Sequence, residues 1–139
     1  MIDLTTKSGA RAAERLESEL VLWLTTVTRD GQPQTSPVWF LWIDDEILLF
    51  SRANTPRPRN IRANPCVAVN FDSDGDGGGI VSIEGQARIA REQTAAADVP
   101  PAYVEKYAVR LAANGWTMAS MLADYPLEIR IRPTRLRAW

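Results

Sequence analysis

The chain contains no histidine, one cysteine and only two lysines, Lys7 and Lys106. Without histidine there is no Ser-His-Asp or Cys-His nucleophile pair, no histidine-based metal helix and no histidine-ligated haem. Cys66 alone can build neither an internal disulfide nor a cysteine-rich zinc site. No apolar run approaches the ~20 residues that span a bilayer, and residues 1–7 lack the apolar core of a secretion signal. Sixteen basic residues face seventeen acidic ones, so the chain has no global positive field of the kind that holds nucleic acid. What is present is a 139-residue chain, 45% hydrophobic, which is the length of one domain and too apolar to stay disordered. The expectation is a soluble, cytoplasmic protein with a single domain over residues 1–139, no membrane span and no nucleic-acid partner. Its chemistry has to come from something it binds.

Residues 8–19 read as a helix capped by Ser8, with Ala12, Ala13, Leu16 and Leu20 at roughly helical spacing. Residues 20–28 are rich in β-branched and aromatic side chains and end at Asp30-Gly31, a hairpin dipeptide. The spacing predicts a partner strand over residues 33–43, a tight turn at Asp44-Asp45 and a third strand over residues 46–51. Thr55-Pro56 reads as N-cap and first position of a short helix that Asn64-Pro65 ends. Strands are predicted over residues 66–71, 80–90 and 127–132, with residues 92–123 helical but interrupted at Val99-Pro100-Pro101 and Asn114-Gly115. Pro133-Thr134 is expected to turn the chain after the last strand. Five or six strands with short connections point to a small antiparallel barrel ahead of an open sheet.

Two acidic or glycine-rich patterns fail on context. Asp72, Asp74 and Asp76 open like a calcium loop, but position twelve is Ile83 and strands flank the segment. The glycines at 75 and 77–79 precede a strand rather than a helix, which excludes a dinucleotide fingerprint. The arginine cluster is stronger. Arg52, Arg57, Arg59 and Arg62 fall within eleven residues, at a strand end and a helix start, and together suggest an anion site. Arg57 is expected to be a surface residue with few packing duties. The strand containing Ser36-Pro37-Val38-Trp39-Phe40 carries aromatics on both faces. Its proline suits an edge or bulge against which a flat heteroaromatic group can lie.

The segments Gly31–Phe40, Ile47–Ser51, Thr55–Pro65, Val81–Ala87 and Ile129–Trp139 resemble, in order, the pyridoxamine 5′-phosphate oxidase-like superfamily of flavin and deazaflavin proteins. The resemblance is nearest to the small actinobacterial F420-dependent oxidoreductases of the B type. It implies a split β-barrel, mainly β with peripheral helices and six to seven antiparallel strands. It also implies a homodimer with cofactor sites at the subunit interface. Ser36, Pro37, Val38 and Trp39 would lie along the tricyclic ring, and Ser51, Arg52, Arg57, Arg59, Asn60 and Arg62 would hold the phosphate end. Arg57 stands where relatives often carry lysine. The implied activity is reduction of a small conjugated or electron-poor acceptor by hydride from F420. FMN is the alternative cofactor, and cofactor storage without turnover is the alternative role. No metal ligand and no catalytic side chain is assigned; Tyr103, Tyr107, Tyr125 and water stand unranked as proton donors.

Overall fold

Strand-forming and turn-forming residues alternate through the first half of the chain, and the computed structural model, which describes residues 2–139, converts that alternation into hairpins. Helix α1 (Lys7–Ser18) leads into β1 (Val21–Val27), β2 (Pro33–Trp39), β3 (Leu41–Ile43) and β4 (Glu46–Ser51). Gly31 takes φ +89° in the first turn, and Asp44 and Asp45 take φ 55° and 57° in the second. Helix α2 (Pro56–Ala63), β5 (Cys66–Asn70) and β6 (Val81–Arg91) follow. A 3-10 turn (Ala96–Asp98), α3 (Pro101–Ala113), α4 (Met118–Asp124) and the long β7 (Leu127–Ala138) complete the fold.

All seven strands form one antiparallel sheet in the order β2-β1-β5-β6-β7-β4-β3. Its two outermost strands, β2 and β3, are separated in sequence by Phe40 alone. A sheet whose opposite edges share one connecting residue has to curl back on itself, and the result is a split β-barrel. The Tyr107 hydroxyl secures that junction. It accepts from the Phe40 amide (2.8 Å) and lies within donating distance of the carbonyls of Phe40 (2.9 Å) and Leu20 (2.7 Å). Lys106 donates to the same Phe40 carbonyl at 2.8 Å, with its ammonium 3.7 Å from the centre of the Phe40 ring.

Alternation along the strands sorts the apolar side chains into two clusters. Leu22, Leu24, Phe40, Ile47, Leu49, Val69, Ile83, Ile129 and Ile131 fill the barrel, closed at one side by Ala12 and Leu16 of α1. Leu48 and Phe50 point the other way, onto Tyr103, Tyr107 and Leu111 of α3 and Met121 and Leu122 of α4.

Three local expectations need correction. The cap of α1 is Thr6, which accepts from the Gly9 amide, whereas Ser8 lies inside the helix and donates to the Ala138 carbonyl. The strand expected over residues 33–43 is broken at Phe40 by the Tyr107 contact. The last strand does not turn at Pro133 but runs on to Ala138. Pro133 is tolerated because it sits opposite Gly85 beside a register shift, where the ladder is already irregular. Gly85 is required there: a Cβ would lie 2.8 Å from the Arg132 carbonyl oxygen.

Candidate functional site

A partly open cleft of about 850 Å³ lies between β2 and the helical layer. Residues 34 to 39 of β2 form one wall, and the antiparallel register fixes its two ends. Thr26 pairs with Gln34 at one end and Val21 with Trp39 at the other. The Gln34 end is polar and the Trp39 end aromatic.

At the polar end, Arg57 reaches in from α2. Its guanidinium donates to Ser36 Oγ (2.5 Å) and Ser51 Oγ (3.3 Å). Burial pulls its pKa down, with a small opposing effect from Tyr125, yet a guanidinium stays charged at any ordinary pH. Among the described residues Arg57 has no carboxylate partner, and no Asp or Glu lines the cleft. Arg52 adds a second positive charge, stacked on the Tyr125 ring at 4.6 Å. Thr55 precedes α2 without capping it by a side-chain hydrogen bond. Prolines at positions 56 and 58 leave the Arg57 amide as a free donor of the first turn. Positive charge with no internal counterion and a free helix-start amide together favour an anion.

At the other end the wall is a chain of rings. Trp39 stacks on Tyr107 (4.5 Å, 5°) and meets Trp116 at 6.1 Å. Tyr103 contacts Tyr107 (4.8 Å) and Phe50 edge-on (5.0 Å, 86°). Burial holds the Tyr103 and Tyr107 phenols far above their ordinary pKa, so both stay neutral. It lowers the Lys106 ammonium to about 8, against the pull of Glu17 and Glu19. The arrangement suits a flat polycyclic group with an anionic tail.

The structure gathers Ser36, Pro37, Val38, Trp39, Arg52 and Arg57 onto the cleft. Ser51 and Asn60 lie beneath it. Ser51 is fully buried and supports Arg57, while Asn60 donates to Thr26 Oγ1 (3.0 Å) and to Gln34 Oε1 (2.9 Å). Asn60 therefore orients Gln34, which does line the cleft. Arg59 and Arg62 do not join the site. Arg59 is exposed, and both oxygens of Glu92 neutralise Arg62. The four arginines are two plus two, and Arg57 is a half-buried, hydrogen-bonded group rather than the surface residue expected. Sequence reading missed the parts played by Gln34, Trp116 and Met121 and left Tyr103 and Tyr125 unranked. A usable signal existed for Arg57: it precedes Ile61, an apolar residue of α2, by four positions and so shares its inward face.

The solved structures that the chain resembles share this fold. The conserved hypothetical protein Rv2991 from Mycobacterium tuberculosis is 27% identical, with TM-score 0.75 over 96% of this chain and 85% of that one. An F420 reductase is 25% identical, with TM-score 0.68 over 89% of this chain and 94% of that one. The heme storage protein HutZ from Vibrio cholerae, 17% identical with TM-score 0.68 over 96% and 95% of the two chains, shares the fold alone. No curated protein matches the chain. The family described as pyridoxamine 5′-phosphate oxidase matches residues 9–139, almost the whole length. With the split barrel, the ring-lined cleft and the uncompensated arginine at its end, the chain belongs to the pyridoxamine 5′-phosphate oxidase family.

Proposed function

We propose that this protein is an F420-dependent reductase of small conjugated or electron-poor acceptors. The observation that carries the reading is Arg57: a half-buried cation without a carboxylate partner, at one end of an aromatic cleft free of acidic residues. Such a charge is stabilised when an anion enters, and the cofactor phosphate is the fitting anion. Bound F420 would supply hydride from its ring carbon C5. The protein's part is placement. Trp39 and the β2 backbone would support the ring, Arg57 and Arg52 would neutralise the phosphate, and Ser36, Ser51 and Asn60 would hold Arg57 and Gln34 in position. The similarity to an F420 reductase supports F420 over FMN. Because Arg59 and Arg62 stand outside the cleft, the number of arginines does not distinguish the longer anionic tail of F420 from the phosphate of FMN.

We further propose that a second copy completes the site. Val21 lines the cleft yet is 40% exposed, and Trp23 beside it on β1 is 36% exposed. A partner laid over this end of β1 and β2 would cover both and narrow the opening.

The test is parallel titration of the purified protein with F420 and with FMN, followed by quenching of each cofactor's fluorescence. Tight F420 binding, and reoxidation of the reduced form by enones or quinones faster than in free solution, is the expected result. Tight binding of FMN alone overturns the cofactor assignment. F420 binding with no accelerated turnover makes the protein a carrier.

A further inference from the structure

Tyr103 is 1% exposed, and its side chain lines the cleft. The Tyr107 hydroxyl is saturated by the Phe40 and Leu20 backbone. Tyr125 also lines the cleft, but it is only half-buried, with its ring against Arg52, so water can reach its hydroxyl. The Tyr103 hydroxyl has no protein partner, although no enclosed side-chain polar atom among the described residues lacks one. Its oxygen therefore lies at the cleft surface, the one part of this side chain that reaches open space. A phenol packed among Phe50, Tyr107 and other apolar groups, with only its polar tip bare, needs a hydrogen-bond partner from the ligand.

We infer that Tyr103 is the specificity-determining donor for a carbonyl oxygen on the hydride acceptor. The inference rests on the reductase reading and names the acceptor class: conjugated carbonyl compounds. Tyr103 stands on the helical wall of the cleft, across from the β2 wall proposed for the ring. An acceptor lying between the two walls would present its carbonyl to α3. In the reduction, hydride from the reduced deazaflavin bonds to the β-carbon and the carbon–carbon π pair moves toward the carbonyl. The oxygen gains the negative charge of an enolate. Tyr103 donates its hydrogen bond to that oxygen and keeps its proton. Protonation of the α-carbon by water would then complete the saturated carbonyl compound, and the proton that the deazaflavin gives up on oxidation would neutralise the hydroxide left behind. Burial suits this role because it makes the phenolate costly: the group polarises the oxygen without surrendering a proton.

The probe is 4-(dimethylamino)cinnamaldehyde, a conjugated aldehyde whose absorption moves to longer wavelength when its carbonyl accepts a strong hydrogen bond. Wild-type protein, with and without oxidised F420, is expected to bind the probe and shift its band to the red. Tyr103→Phe should abolish the shift and weaken binding about 3- to 10-fold, the value of one net hydrogen bond. Its melting temperature should not change, because the lost hydroxyl bonds nothing in the protein. Tyr107→Phe, which strips a backbone contact instead, should keep the shift. An unshifted or unbound probe in wild type, or equal shift and affinity in Tyr103→Phe, overturns the inference. Because the probe is read without turnover and without bound cofactor, a protein that shifts the probe but ignores F420 refutes the cofactor assignment and leaves the Tyr103 donor standing.

Discussion

The barrel interior and the layer under α3 and α4 are both apolar, but aromatic rings take a larger share of the second. Leucine, isoleucine and valine dominate the interior, where Leu22, Ile47, Leu49 and Ile129 are fully enclosed. The outer layer sets aromatic rings, Trp39, Phe50, Tyr103, Tyr107 and Tyr125, among its leucines, with Met121 at the cleft. Branched aliphatic groups interdigitate and leave no usable space. Flat rings make walls, and tyrosine adds a polar tip to an apolar body. One cluster holds the fold and the other shapes a vacancy.

The largest effect should come from the closed side. Ile129→Ala, on β7 opposite Leu49 and Ile89, is expected to cost about 2–5 kcal/mol in denaturant unfolding. Met121→Ala borders the cleft, so the space it leaves joins an existing opening, and its cost should be less than half as large. Equal losses would dissolve the distinction between the two clusters. Next come the arginines. Arg57→Ala should weaken F420 binding by about 1.5–3 kcal/mol, roughly ten- to 150-fold, with Arg57→Lys between it and wild type. It should also lower stability by about 1 kcal/mol through its lost bonds to Ser36 and Ser51. Affinity within twofold of wild type would move the anion site elsewhere. Tyr107→Phe keeps the ring stack but strips the Phe40 amide of its partner, for an expected loss of about 1–2 kcal/mol measured by thermal unfolding. No loss would show that the β2–β3 junction holds without the hydroxyl. Arg62→Ala removes an exposed pair with Glu92 and should change stability by less than about 0.5 kcal/mol and F420 affinity not at all.

Elements set by local chemistry were legible in the sequence. Asp30-Gly31 and Asp44-Asp45 turn where their residues accept positive φ, and Thr55-Pro56 begins a helix that Asn64-Pro65 ends. The aromatic strand from Ser36 to Trp39 does line the cleft. Pro133 misled, because its missing amide would end a regular ladder, and only the bulge opposite Gly85 lets the strand continue. The arginine cluster misled for a related reason. Residues 52–62 are close in sequence, but α2 turns Arg57 toward Ser36 and Arg62 toward Glu92, which lies 30 residues further on.

By itself the sequence determined which chemistries the chain lacks, since absent residues exclude a mechanism in any fold. It also determined turns, helix starts and strand alternation, because these depend on φ preferences and side-chain periods a few residues long. Only the tertiary structure decided which two arginines share the cleft and that Phe40 joins the two sheet edges under the Tyr107 hydroxyl. It also decided that Tyr103, rather than Tyr107, keeps a free donor. Each of these depends on groups far apart in the chain competing for the same partner, and that competition is settled by packing.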